Sequence, residues 1–95
     1  MSNNDVKEKI LDFSDCTYLG EVFAVIKKEL ELPEWCGENL DALWDAVTGI
    51  MYTPVRIKIE PVARRKELQS AVNDIIVLLQ EAEQKYREIT VTVVD

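Results

Sequence analysis

Histidine is missing altogether from this 95-residue chain. That absence excludes Ser-His-Asp and Cys-His nucleophilic catalysis, HExxH zinc sites and imidazole proton shuttles. Glycine is scarce, at three residues, so neither a P-loop nor a GxGxxG phosphate cradle can be assembled. Cysteine occurs only as Cys16 and Cys36, with no CxxC pair and no multi-ligand zinc framework. The two read as reduced thiols in or beside a core, and the sequence leaves a disulfide open. No apolar run is long enough to span a bilayer. Residues 1–5 are polar and hold no stretch of signal-peptide type, so the expected compartment is the cytoplasm. Positive charge is in deficit, with 11 bases against 18 acids and a net charge of −7. A phosphate backbone would repel such a chain, which argues against nucleic acid and for a basic partner, or for solubility alone.

What is present is an ordinary globular balance, 47% hydrophobic and 31% charged residues, too apolar for a disordered acidic tail. The length predicts one domain over residues 1–95, with residues 1–7 a loose lead. The short apolar run in EKILDF predicts a first strand over Lys9 to Asp12, ended by the turn-formers Asp12, Ser14 and Asp15. Leu19, Val22, Phe23, Ile26 and Leu30 then recur at helical spacing. Thr17 is the expected N-cap and Pro33 the stop. Gly37 suits a turn with positive φ. A second helix is expected from Glu38 or Asn39 to Ile50.

At about 100° per residue, Leu40, Leu43, Trp44 and Val47 share one arc of that helix, and Glu38, Asp41 and Asp45 share another. Its polar side is therefore purely acidic. Val55, Ile57 and Ile59 alternate with Arg56, Lys58 and Glu60, a half-buried strand that Pro61 ends. Residues 63–70 read as a short helix and residues 71–86 as a longer one, with Val72, Ile75, Leu78, Leu79, Ala82 and Tyr86 as its core stripe. The β-branched run ITVTVV over residues 89–94 is the last strand. The order β-α-α-β-α-α-β predicts an α/β fold, a three-stranded parallel sheet packed against about four helices through right-handed crossovers. Leu11, Val55, Ile57, Ile59, Val91 and Val93 belong in its sheet core.

Three features bear on chemistry. Asp41 and Asp45 are an i,i+4 acid pair whose Cβ atoms lie roughly 6 Å apart on a helix. Paired carboxylates can serve acid–base or metal chemistry, but no second acid cluster or histidine completes such a site. The usual fate of the pair is a solvated face. Trp35 and Trp44 bracket these acids in the sequence. An aromatic beside a charge is the composition of an interface hot spot; the alternative places both rings in the core. Arg64, Arg65 and Lys66 read as a solvated basic run that offsets the local negative field.

The stretch KKELELPEWCGENLDALWDAVTG, residues 27–49, resembles the barstar family of intracellular inhibitors of secreted barnase-type ribonucleases. The specific words are LPE at Leu32–Glu34, the nine residues GENLDALWD at Gly37–Asp45, and TG at Thr48–Gly49. The order of elements agrees from Lys9 to the end of the chain, and the family fold matches the pattern above. The resemblance implies a non-enzymatic, cofactor-free inhibitor, monomeric when free. It would bind a basic ribonuclease one to one, placing the acidic helix and the preceding loop in the enzyme's cleft. On it, Asp45 is the central carboxylate and Asp41 meets the cleft rim. Trp35 takes the place of an aromatic that packs on the enzyme. Gly37, Asn39, Trp44, Thr48 and Gly49 line the contact, and Glu81 adds a second acid. Trp35-Cys36 and Ile50 depart from the family pattern and bear on target identity. The alternatives are an acidic adaptor for a different basic protein and a small carboxylate enzyme using Asp41 and Asp45.

Overall fold

The computed structural model describes residues 6–51, 53–60 and 65–94. Three strands, β1 (Lys7–Asp12), β2 (Val55–Glu60) and β3 (Ile89–Val93), form a parallel sheet in the order β1-β2-β3. The helices are α1 (Leu19–Glu29), α2 (Leu40–Gly49) and α3 (Lys66–Lys85). β1 starts two residues before the expected position, and residues 1–5 of the expected lead lie outside the described residues.

The sheet register pairs Leu11 with Ile59, Ile59 with Val93, and Ile57 with Val91. Residues in register share a face, so these side chains form one apolar surface beneath the helices. Leu11, Val55, Ile57 and Ile59 are buried there, and Val91 and Val93 are half-buried against the same core. The opposite face is polar and exposed at Glu8, Arg56, Thr90 and Thr92. α1 packs on β1, α3 on β3, and α2 chiefly on α3. From the helices, Val22, Ile26, Val47, Ile75 and Leu79 complete the core.

The helix count differs from the expectation: among the described residues three are present, and α3 is one twenty-residue helix. No glycine or proline lies between Lys66 and Lys85, so nothing interrupts the backbone hydrogen bonding at Ser70. Residues 63 and 64 of the expected short helix, and Pro61, lie outside the described residues. Tyr86 is not part of the core stripe. It follows the last turn of α3 as the C-cap residue and is exposed.

Two local assignments also change. Tyr18, not Thr17, holds the N-cap position of α1, without a side-chain cap. Thr17 instead donates its backbone N–H (2.6 Å) and hydroxyl (2.9 Å) to Glu21 Oε1, so the acid of the first turn reaches back to satisfy the entering chain. No glycine among the described residues has positive φ. The residue in that region is Glu31, with φ of 56°. It sits just past α1, where the Glu31 N–H reaches the Lys28 carbonyl and the Leu32 N–H reaches that of Lys27. This is the left-handed reversal that ends many helices, held on a glutamate whose carboxylate pairs with Lys9. Gly37 instead sits where space is tight: a Cβ there would lie 3.2 Å from both the Ala42 Cβ and the Asn39 Nδ2, so these neighbours would have to give by a few tenths of an ångström. Cys16 is buried, Cys36 is half-buried, and both are free thiols. Among the described residues no helix is long and apolar enough to cross a membrane.

Candidate functional site

The loop of residues 32–38 and helix α2 carry most of the residues singled out above. The loop is tied down at its base. Lys27, on α1, forms an ion pair with Glu38 at 3.2 Å and also reaches the Glu34 carbonyl. The Cys36 N–H donates to the Pro33 carbonyl. Trp35 stands at the tip of this loop, 77% exposed. A ring left so open by a loop that is itself anchored is an unusual use of tryptophan, which normally buries much of its surface.

Asn39 starts α2 as its N-cap, in extended conformation, with Oδ1 accepting from the Ala42 N–H at 2.8 Å. Leu43, Ala46 and Val47 fix the inner face. With that face buried, the helical period turns Asp41 and Asp45 outward, and both are exposed. Trp44 lies between the two faces, half-buried against the core. Lys85 Nζ sits 5.9 Å from the centroid of its ring, within cation–π range. The Thr48 hydroxyl donates to the Trp44 carbonyl at 2.7 Å, and Gly49 is exposed at the end of the helix.

The structure brings Asp41, Trp44 and Glu81 to one groove of about 370 Å³ between α2 and α3. Asp45, Thr48, Gly49 and Trp35 do not line that groove. Asp45 and Gly49 lie on the open face of α2, and Trp35, Gly37 and Asn39 lie in the exposed segment just before it. Among the described residues no ion pair involves Asp41, Asp45 or Glu81. The surface therefore presents several carboxylates and one open indole, with Lys85 over Trp44 and Lys27 paired to Glu38.

Sequence reasoning missed three residues here. Asp74 and Val77 line the groove from α3. Asp74 is seven residues before Glu81, two helical turns away on the same side, and that spacing was the available signal. Lys85 lies outside the apolar stripe of its helix, yet it stands over Trp44. The pairing of these helices follows from their crossing, which no local pattern specifies.

The chemistry open to this surface is narrow. Among the described residues no group of three or more His, Cys, Asp or Glu is arranged to hold a metal ion. The buried thiol of Cys16 is held above its ordinary pKa by desolvation and then by Glu21, Asp12 and Asp15, the opposite of what an activated nucleophile requires. The arrangement suits recognition of a cationic surface.

Two comparisons bear on this geometry. The family model described as Barstar (barnase inhibitor) matches residues 6–94. A protein of Bacillus subtilis (strain 168) named "Putative ribonuclease inhibitor YrdF" is 27% identical over 84 residues, covering 87% of this chain and 92% of the relative.

Proposed function

This chain belongs to the barstar (barnase inhibitor) family, and on that footing we propose that it inhibits a basic, barnase-type ribonuclease by blocking the enzyme's active-site cleft. The observation that carries the reading is the outward-facing acid set Asp41, Asp45 and Glu81, unpaired among the described residues. In this reading the protein acts in the cytoplasm as a monomer, binds its target one to one, and catalyses nothing.

Asp45 is the central contact. It occupies the place of a substrate phosphate and pairs with the cations of the enzyme. Asp41 meets the rim of the cleft, and Glu81 adds a second carboxylate from α3. Trp35 supplies an exposed ring, 77% open, to pack on the enzyme. Gly37, Asn39, Trp44, Thr48 and Gly49 shape the surface around it. A chain of net charge −7 approaching a basic enzyme gains mainly in association rate and in choice of partner. That suits an inhibitor that must capture a toxic enzyme before it cuts RNA.

The test is stoichiometric inhibition of a basic barnase-type ribonuclease by the purified chain, beside Asp45→Ala and the remote control Glu67→Ala. Loss of a buried charge partner costs about 3 kcal/mol or more, so Asp45→Ala should weaken inhibition about a hundredfold while Glu67→Ala leaves it intact. Equal losses in the two variants would refute the role of Asp45. A second reading keeps the acidic surface and changes the target. Ile50 is exposed directly after α2, and with Trp35-Cys36 it alters the rim that would select the enzyme. No inhibition by any of the three proteins would favour that different basic partner.

A further inference from the structure

Strand β3 is the outer strand on one side of the sheet. Two bonds fix which of its backbone groups turn inward. The Val55 N–H donates to the Glu88 carbonyl at 2.8 Å, and the Val94 N–H donates to the Ile59 carbonyl at 2.8 Å. Backbone groups alternate sides along a parallel strand, so Glu88, Thr90, Thr92 and Val94 face β2. Ile89, Val91 and Val93 therefore turn their backbone groups to the free edge. Such an edge is a template for another strand. Ile89–Val93 reads ITVTV and carries no charge, although the chain as a whole has a net charge of −7. Neither lysine nor proline, the usual residues that blunt an edge, stands in it.

The edge is closed in another way. The Ile89 N–H is spent on the Tyr86 carbonyl at 3.1 Å. Glu83 reaches over from α3, and its Oε2 accepts the Val91 N–H at 2.9 Å. The Val93 N–H has no partner among the described residues. The strand that fits this edge is legible in its order of residues. Turned antiparallel about Val91, β3 meets a second copy of itself with Val91 opposite Val91, Ile89 opposite Val93, and Thr90 opposite Thr92. Like types meet on both faces, branched aliphatics on the core side and threonines on the exposed side, and such cross-strand pairs are favourable. This register also makes Ile89, Val91 and Val93 the hydrogen-bonded positions of the ladder, so the groups already turned outward are the ones it uses. The N–H groups open to it are those of Val91 and Val93 in each copy, and Glu83 takes half of them. An arriving strand would also set its carbonyls against the Glu83 carboxylate, acceptor against acceptor.

We infer that β3 is a self-complementary edge held shut by Glu83, whose carboxylate keeps two copies of this chain from joining their sheets through an antiparallel β3–β3 contact. Such a contact is isologous, the same patch on both copies, and closes at two. Glu83 acts here as a guard on the backbone of β3. This goes beyond the ribonuclease reading, since neither Glu83 nor β3 belongs to the surface proposed for the enzyme.

The test is the association state of the full chain by sedimentation equilibrium, with folding checked by circular dichroism and amide exchange at Val91 as the local probe. The parent should stay monomeric up to about 1 mM. Glu83→Ala should dimerise at least about thirtyfold more tightly, the equivalent of two released hydrogen bonds of ordinary net strength. Its Val91 amide should gain protection as concentration rises. Glu83→Gln keeps an acceptor oxygen and should stay monomeric. Adding Thr90→Lys and Thr92→Lys to Glu83→Ala sets like charges opposite each other and should abolish the dimer. Adding Thr90→Lys and Thr92→Glu instead sets opposite charges together and should restore it. A folded Glu83→Ala chain that stays monomeric at that concentration, a dimer indifferent to the threonine variants, or a parent that dimerises as readily as Glu83→Ala would overturn the inference.

Discussion

Removing the central acid of α2 should strengthen the free protein while it weakens binding. Asp45 makes no hydrogen bond or ion pair among the described residues, so Asp45→Ala deletes no native contact of the carboxylate. Two terms then favour the variant. Alanine is better than aspartate inside a helix by about 0.6 kcal/mol. Relief of the i,i+4 repulsion with Asp41 adds about 0.2–0.5 kcal/mol. The sum is about 1 kcal/mol, which for a chain of this size raises Tm by about 4–8 °C. Urea and thermal unfolding followed by circular dichroism would measure it. Asp45→Asn separates the terms, because it removes the charge and keeps a poor helix former; only the smaller gain should remain. The repulsive share should shrink in about 0.5 M salt, and the propensity share should not. A variant less stable than the parent would refute the reasoning, since it would show that the carboxylate has a structural partner.

Other outcomes follow from particular contacts. Asn39→Ala removes the cap on Ala42 and should cost about 1 kcal/mol in urea unfolding, with Asn39→Asp close to neutral. Glu83 Oε2 accepts from the Val91 N–H at 2.9 Å on the edge strand β3; Glu83→Ala should cost about 1 kcal/mol and speed hydrogen exchange at Val91. The carboxyls of Asp12, Glu21 and Glu31 are held below their usual values by hydrogen bonds from Ser14, Thr17 and Lys9 respectively. A folded-state pKa below the unfolded one stabilises above the unfolded value and is lost as pH falls, so stability should decline from about pH 4.5 downward. The raised pKa of Cys16 works at the other end: the folded thiol keeps its proton when the unfolded one has lost it, so stability should fall above about pH 9, and less so in Cys16→Ala. Unfolding free energies across the pH range would check both limbs.

The signals that were legible are those of period and punctuation. Leu19 to Leu30 repeat at helical spacing before Pro33, Val55 to Ile59 alternate, and residues 89–93 are β-branched or isoleucine-valine in character; each became the expected element. The failures are of two kinds. Residues 63–70 hold polar and charged side chains with little apolar period, so the sequence suggested a break after Ser70, where α3 runs on without interruption from Lys66. The left-handed turn fell on Glu31 rather than Gly37, because the helix end, not the glycine, determines where the chain must reverse. At the site, the faces of α2 followed from its own period. The neighbourhood of Trp44 did not: Asp74, Val77, Glu81 and Lys85 reach it from α3, thirty residues or more along the chain, and only the crossing of two helices determines which of them arrive.

The acidic helix also shows why such a surface needs the rest of the fold. A ten-residue helix is too short to persist alone in water, and its like-charged pair makes it weaker still. Three things hold it in place: the Asn39 cap, the buried edge of Leu43, Ala46 and Val47, and the Lys27–Glu38 clamp on the loop before it. Each acts on the inner face or at the start of α2, so none consumes Asp41 or Asp45. The carboxylates are thus displayed on a backbone that is already ordered, and a partner that meets them need not supply the entropy of ordering the helix. The clamp has a further consequence. Because Glu38 is engaged with Lys27 at 3.2 Å, it is the acid of this segment least available to a partner, and the charge offered outward begins at Asp41, one turn into a helix whose start is already fixed.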